Sequence, residues 1–218
     1  MRMIKSLDIP FESSLSRLSP IEQVSQILDG VEKNEISNVP WLQFSYKPDC
    51  AFAIAHSGDC IFLKFFVVEK SVKARYNQPN DPVYQDSCVE FFISFNGTEY
   101  YNFEFNAIGT CYLAHGVPGN GRVLADIKVI EKIKTGFKIE SYTDGVKWEL
   151  TAVIPVETFN YNNLQNLGSI NATANFYKCG DELPVPHFIT WAPVEAEKPN
   201  FHLPQFFGNI HFAAAGEI

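Results

Sequence analysis

A net charge of −8, from 17 basic and 25 acidic residues among 218, repels phosphate backbones and anionic lipid, and no basic stripe interrupts that field. Nucleic acid and membrane surfaces are therefore poor partners. A composition 46% hydrophobic and 19% charged suits one domain with a substantial core, and the 14% aromatic share, rich in Phe, favours pleated β surfaces over a helical bundle.

The chain starts MRMIKSLDIPF, without the apolar core of a signal peptide, and no apolar run is long enough to span a bilayer. A soluble chain, cytoplasmic by default, is expected. SPIEQVSQILDG sets Ile21, Val24, Ile27 and Leu28 at helical spacing between a Ser-Pro start and a Gly stop, which predicts a short helix in a peripheral extension over residues 1–40. Short alternating runs follow: CAFAIAHSGD, CIFLKFFVVE, GFKIESYTDGVKWELTAVIP, GSINATANFYKCG, PHFITWAP and GNIHFA. Asp144-Gly145 between two such runs is a hairpin signal. The expected fold is all-β: an antiparallel β-sandwich of about ten or more strands with a short N-terminal helix, as a single domain over 1–218. Trp41 and Trp148 are expected in the core. Cys50, Cys60, Cys88, Cys111 and Cys179 are odd in number and form no C-x-x-C pair, so free packed thiols are expected rather than disulfides or a zinc ribbon.

The segment YQDSCVEFFISFNGTEYYNFEFNAIG, residues 84–109, carries the functional signal. Val89, Phe91, Ile93 and Phe95, then Phe103 and Phe105, form one apolar row, whereas Asp86, Glu90, Asn102, Glu104 and Asn106 occupy the alternate positions. Only an odd-length loop keeps both apolar rows on one face. A three-residue loop sets Glu90 against Glu104, like charges side by side; a five-residue loop, Asn96 to Tyr100, sets Glu90 against Asn106 and is favoured. A carboxylate beside an amide, with aromatics nearby, suits sugars: hydroxyls both donate and accept, and the C–H faces stack on rings. The bland alternative is the solvated face that any antiparallel sandwich presents, with a role in protein interaction.

The residues then become familiar. DSCVEFF, YYNFEFNAIG, WELTAVIP, NFYKCGDELPVPHFITWAP and PNFHLPQFFGNIHF resemble family-9-like carbohydrate-binding proteins, relatives of the family-9 modules found on xylanases. The resemblance covers roughly residues 41–212. It implies a β-sandwich that binds a sugar, typically the end of a chain such as xylan, between two aromatic side chains, with polar groups from adjacent strands on its hydroxyls. It also implies a glycoside hydrolase as working partner. Carried over, Glu90 matches the acid of the V-E block, Asn106 the amide of the next strand, and Tyr84 the first clamp, with Trp191 as the second. Two departures stand out: Tyr84 replaces a tryptophan, and Glu104 sits where a basic residue is typical. Related modules often hold structural calcium, for which Asp81 and Asp86 are the candidates.

Arg75 and His187 are further candidates to bond a sugar hydroxyl. His202 and His211 are too far apart in sequence to make a zinc motif, so no metal ligand set is assigned. The enzymatic rival is glycoside hydrolysis by Glu90 and Glu104, but an open face offers little to raise a pKa, and no other catalytic motif is present. No catalytic residue is assigned. Haem ligation of the Met/His kind is disfavoured because the two methionines, Met1 and Met3, lie at the terminus.

Overall fold

The computed structural model describes residues 4–119 and 121–217. Thirteen strands among them form two sheets. In chain order they are β1 (Ser6–Ile9), β2 (Asn34–Glu35), β3 (Asp49–His56), β4 (Cys60–Glu69), β5 (Cys88–Ser94), β6 (Tyr100–Asn106) and β7 (Cys111–Gly116). They continue with β8 (Arg122–Leu124), β9 (Lys134–Tyr142), β10 (Gly145–Pro155), β11 (Asn171–Cys179), β12 (Phe188–Thr190) and β13 (Gly208–Phe212). One sheet runs β2-β3-β4-β10-β9; the other runs β1-β13-β11-β5-β6-β7-β8, with β12 also paired to β11. All these pairings are antiparallel except β1 with β13. The expected sandwich is therefore present.

The period-two pattern is what the sheets bury. Val89, Phe91, Ile93, Phe103 and Phe105 are fully buried between the sheets. Phe91 stacks on Phe176 at 4.9 Å, and Phe176 in turn stacks on Phe52 of the opposite sheet at 3.6 Å. Trp41 and Trp148 are buried as expected, and the five cysteines are free and buried. Tyr142 pairs with Gly145, so the β9–β10 hairpin turns on Thr143 and Asp144.

The predicted helix forms as α1 (Ile21–Asp29). The N-terminal residues are not peripheral, however. β1 extends the larger sheet through β13, and Val24 and Leu28 of α1 bury themselves against Ala53, Ala55, Phe62 and Val153. The cause is an apolar patch on the outer side of the smaller sheet, which α1 covers. No helix among the described residues is long and apolar enough to cross a membrane.

The β5–β6 register differs from the favoured one. Glu90 faces Glu104 and Cys88 faces Asn106, with Phe95 to Glu99 left outside the ladder. The loop closes on itself: Asn96 Oδ1 accepts from the amides of Thr98 and Glu99 at 2.9 Å each, and Gly97, at φ +74°, donates its N–H to Ser94 Oγ. The objection to this register assumed that both carboxyls are ionised. Burial removes that premise, as the site shows.

Candidate functional site

The second face of the larger sheet is not open. Phe92, Tyr100 and Tyr177 point out from it into a second apolar cluster with Trp41, Val194, Phe201 and Phe207. The chain from Val194 to Phe207 is fastened over the sheet: Trp41 Nε1 donates to Ala196 O at 2.9 Å, Tyr177 Oη donates to Phe201 O at 3.1 Å, and the Phe201 ring stacks on Tyr177 at 4.1 Å. What this covering leaves is a cavity of about 420 Å³ over β5, β6 and β11, large enough for a sugar.

The floor is polar. Glu90 and Glu104 are 3% and 4% exposed, and both line the cavity with Asn102. Asn102 Nδ2 donates to Glu104 Oε1 at 2.8 Å, while Asn102 Oδ1 accepts from Arg122. Cys179 Sγ–H donates to Glu90 Oε1 at 3.1 Å. Glu104 Oε2 is buried and has no hydrogen-bond partner among the described residues. Around the floor stand Tyr84 and Tyr112, then Phe188 and Phe201, with Asp181, Asn200 and His202 also in the lining. His202 Nδ1 and Tyr100 Oη share a hydrogen bond at 2.8 Å.

Two buried acids side by side cannot both stay charged cheaply. Burial, reinforced by Glu104, pushes the Glu90 carboxyl well above its usual range. Burial raises Glu104 to about 7 against the opposing pull of Asn102 and Arg122. Near neutral pH the pair therefore holds a proton, which is why the facing register carries no like-charge penalty.

The sequence candidates divide. Glu90, Glu104 and Tyr84 line the cavity, with Tyr84 38% exposed. Trp191 does not. It lies in the core, edge-on to Phe52 and Phe176 at 6.0 and 5.6 Å, and Gly208 leaves it room, since a Cβ there would meet the indole at 2.6 Å. The reason is alternation: Trp191 continues the inward side of Ile189, whereas Phe188 takes the outward side.

Asn106 is also not a ligand group. Its Nδ2 donates to Tyr76 O and Asp86 Oδ2, and its Oδ1 accepts from the amides of Ile108 and Thr110. That amide fastens a loop, and nothing of it remains for a sugar. His187 is fully buried on the inner side. Its Nε2 accepts from Lys178 Nζ at 2.8 Å and its Nδ1–H donates to Val185 O at 3.0 Å. Burial and Lys178 lower it to about 3, so it is neutral. Arg75 is at the surface, bonded to Tyr76, Gln85 and Glu182. Sequence reasoning missed Asn102, Tyr112, Arg122, Asp181, Phe188, Asn200, Phe201 and His202 as lining residues. The density of aromatics in PNFHLPQFFG was the available signal.

Of the calcium candidates, Asp86 Oδ2 accepts from the amides of Arg75 and Tyr76 and from the Asn106 side chain, while its Oδ1 is buried without a hydrogen-bond partner among the described residues. Asp81 accepts from the amide of Gln78 in its own turn. Among the described residues one trio, Cys88, Glu90 and Cys179, gathers potential metal-ligand atoms within 4.8 Å of one another. Its thiols are held protonated by burial, Cys88 being raised to about 12.

With this geometry in place, comparison with known proteins is informative. A family model for carbohydrate-binding family 9 matches residues 22–212. A crystal structure of a Bacteroides uniformis protein, provisionally described as carbohydrate-binding, is 37% identical, with a TM-score of 0.90 over 96% of this chain and all of that one. A family 9 carbohydrate-binding module of Caldicellulosiruptor kristjanssonii, solved with glucose, is 14% identical with a TM-score of 0.58 over 97% of each chain. The module from the same organism solved with cellotriose gives 14% and 0.59, over 97% of this chain and 95% of that one. These last two similarities speak to the fold. Among curated proteins no match is found.

Proposed function

This chain belongs to carbohydrate-binding family 9, and we propose that it holds a sugar, or the end of an oligosaccharide, in the cavity over β5, β6 and β11. The observation that carries this reading is the pairing of a hydrogen-bonding floor, Glu90, Asn102 and Glu104, with aromatic walls from Tyr84, Tyr112, Phe188 and Phe201. Rings take the C–H faces of a pyranose, and the floor takes its hydroxyls. The solved relatives with glucose and cellotriose support glucose-type sugars as the first ligands to try. The kinship with xylanase-attached modules supports a glycoside hydrolase as working partner.

Binding without catalysis is the reading we prefer. Glu90 and Glu104 have the raised pKa that hydrolysis asks of one acid. They are, however, direct neighbours on one floor, whereas a glycosidase places its two carboxyls on either side of the scissile bond. Calorimetric titration with mono- and oligosaccharides of glucose, xylose, galactose and mannose tests the proposal. Saturable heat that competes with no turnover of the same oligosaccharides supports it, and absence of binding across the set overturns it. Release of reducing sugar that vanishes in Glu90→Gln would move the protein to the hydrolases.

A further inference from the structure

The floor of the cavity has an imbalance of charge that a neutral sugar would leave uncorrected. Glu90 and Glu104 are buried side by side, and Asp181 stands exposed among the lining residues. Among the described residues, neither Glu90 nor Glu104 belongs to an ion pair, although the protein forms several elsewhere. Among the described residues the one cation in the lining, Arg122, is engaged. Its Nη1 donates to Gly116 O at 3.0 Å, and its Nη2 donates to Ala114 O, to Tyr100 O and to Asn102. The guanidinium also lies 3.9 Å over the Tyr100 ring. Lys178, next to Cys179 in sequence, points to the inner side and binds Glu69 at 3.0 Å. Glu104 Oε2 is the second, independent sign: a carboxyl oxygen within a cavity-lining residue, buried, without a hydrogen bond. Such an atom in a built pocket calls for a donor from outside.

Resting on the carbohydrate reading, we propose that the preferred occupant is an amino sugar with a free, protonated amine, its ammonium seated against Glu90 and Glu104. An ammonium offers three N–H donors and one positive charge. It satisfies Glu104 Oε2, bonds Glu90, and stabilises both carboxylates in their ionised forms. The aromatic walls that would take a neutral pyranose take this one equally. An N-acetylated sugar has lost the charge, and a uronic acid adds a third negative group to the floor, so both bind more weakly.

The protonation behaviour follows from every group that faces the pair. Glu90 feels Glu104, Cys179, Asp181 and, from the inner side, Lys178, while Glu104 feels Asn102, Arg122 and Asp181. The phenols of Tyr84 and Tyr112 and the thiols of Cys88 and Cys111 feel it in turn, and all four are themselves held neutral by burial. The carboxyl pair, together with Asp181, which burial raises to about 6, thus does the titrating near neutrality. The free protein holds a proton there, and the bound ammonium expels it. Binding is accordingly strongest in a window bounded below by ionisation of the pair, with Glu104 at about 7, and above by loss of the amine proton, about 8 for an α-amino group.

The experiment compares glucosamine and its β-1,4 oligomers with glucose, N-acetylglucosamine and glucuronic acid by calorimetry at pH 7.5, in two buffers of different ionisation enthalpy. Preference for the free amine by about tenfold to a hundredfold, with a buffer-dependent heat showing proton release, is the expected result. In Glu104→Gln and Glu90→Gln that preference collapses, with thermal melts showing whether each variant is folded. Equal affinity for glucose and glucosamine overturns this inference while leaving sugar binding intact. Affinity for none of the sugars overturns the carbohydrate reading itself. Binding that disappears with EDTA and returns with calcium also overturns the inference, because the carboxylates would then be serving a metal ion.

Discussion

Glu90 and Glu104 face each other across the β5–β6 ladder, both buried, with the Asn102 amide on Glu104 and the Cys179 thiol on Glu90. The pair has a thermodynamic signature. A carboxyl whose folded pKa is raised binds more protons in the native than in the unfolded state between the two values. The unfolded value for Glu is about 4.3, and Glu104 reaches about 7 when folded. Stability due to this pair is therefore full at low pH and declines as pH rises from about 4.3 through about 7.

Glu104→Gln should lessen that decline, because a neutral amide needs no proton, while the buried Glu90 keeps its own share. At pH 8 the variant is expected to be more stable than the parent, on the order of 1–3 kcal/mol, with the difference closing toward pH 4. Urea unfolding across this range measures it. A variant less stable than the parent at pH 8 would mean that the carboxylate is satisfied in the folded protein.

Phe91→Ala should cost about 3–5 kcal/mol, since the ring is fully buried between Phe103 and Phe176 and its loss leaves a cavity. Denaturant midpoints with an unchanged slope would show it as a loss of stability alone.

The inner row of β5 and β6 was legible because alternation reports burial directly: Val89, Phe91 and Ile93 share a face with Phe103 and Phe105 in either odd-loop register. The acids were legible as a surface of interest but not their register, because the cost of opposed carboxyls depends on burial that no local pattern shows. Trp191 was misplaced by resemblance when period two from Ile189 would have turned it inward and Phe188 outward. Phe201 and His202 meet β11 and β6 across long separations; His202 bonds Tyr100 from 102 residues away. Contacts of that kind follow from the course of a loop over the sheet, and spacing carries no trace of them.

The two sheets are joined by charge as well as by rings. Glu69 of β4 binds Lys178 of β11 at 3.0 Å and accepts from Trp148 Nε1 at 2.6 Å, with all of these groups buried. Lys178 also donates to Cys179 O and His187 Nε2. Lys178→Met should destabilise by about 3–5 kcal/mol by stranding the Glu69 charge. Adding Glu69→Gln should recover part of that loss, because Trp148 keeps an acceptor. A double mutant no better than Lys178→Met alone would show that packing, not charge, sets the cost.

The last prediction separates wall from core among the aromatics. Tyr84 is 38% exposed at the cavity and Phe201 lines it, whereas Trp191 is 1% exposed and points between the sheets. A ring that stacks on a sugar in a partly solvated site contributes on the order of 1–2 kcal/mol to binding. Tyr84→Ala should therefore lower sugar affinity by about tenfold while moving stability little, because a half-exposed phenol buries little area. Phe201→Ala should lose affinity and some stability together, as its ring also packs on Tyr177 and Trp41. Trp191→Phe should do the reverse of Tyr84→Ala: a measurable loss of stability from the emptied volume beside Gly208, with sugar affinity of the folded protein within about twofold of the parent. Calorimetry and thermal melts on the same three variants decide the matter. An affinity loss in Trp191→Phe as large as that in Tyr84→Ala, at a temperature where both are folded, would place the tryptophan at the ligand and remove the cavity over β5 and β6 as the site.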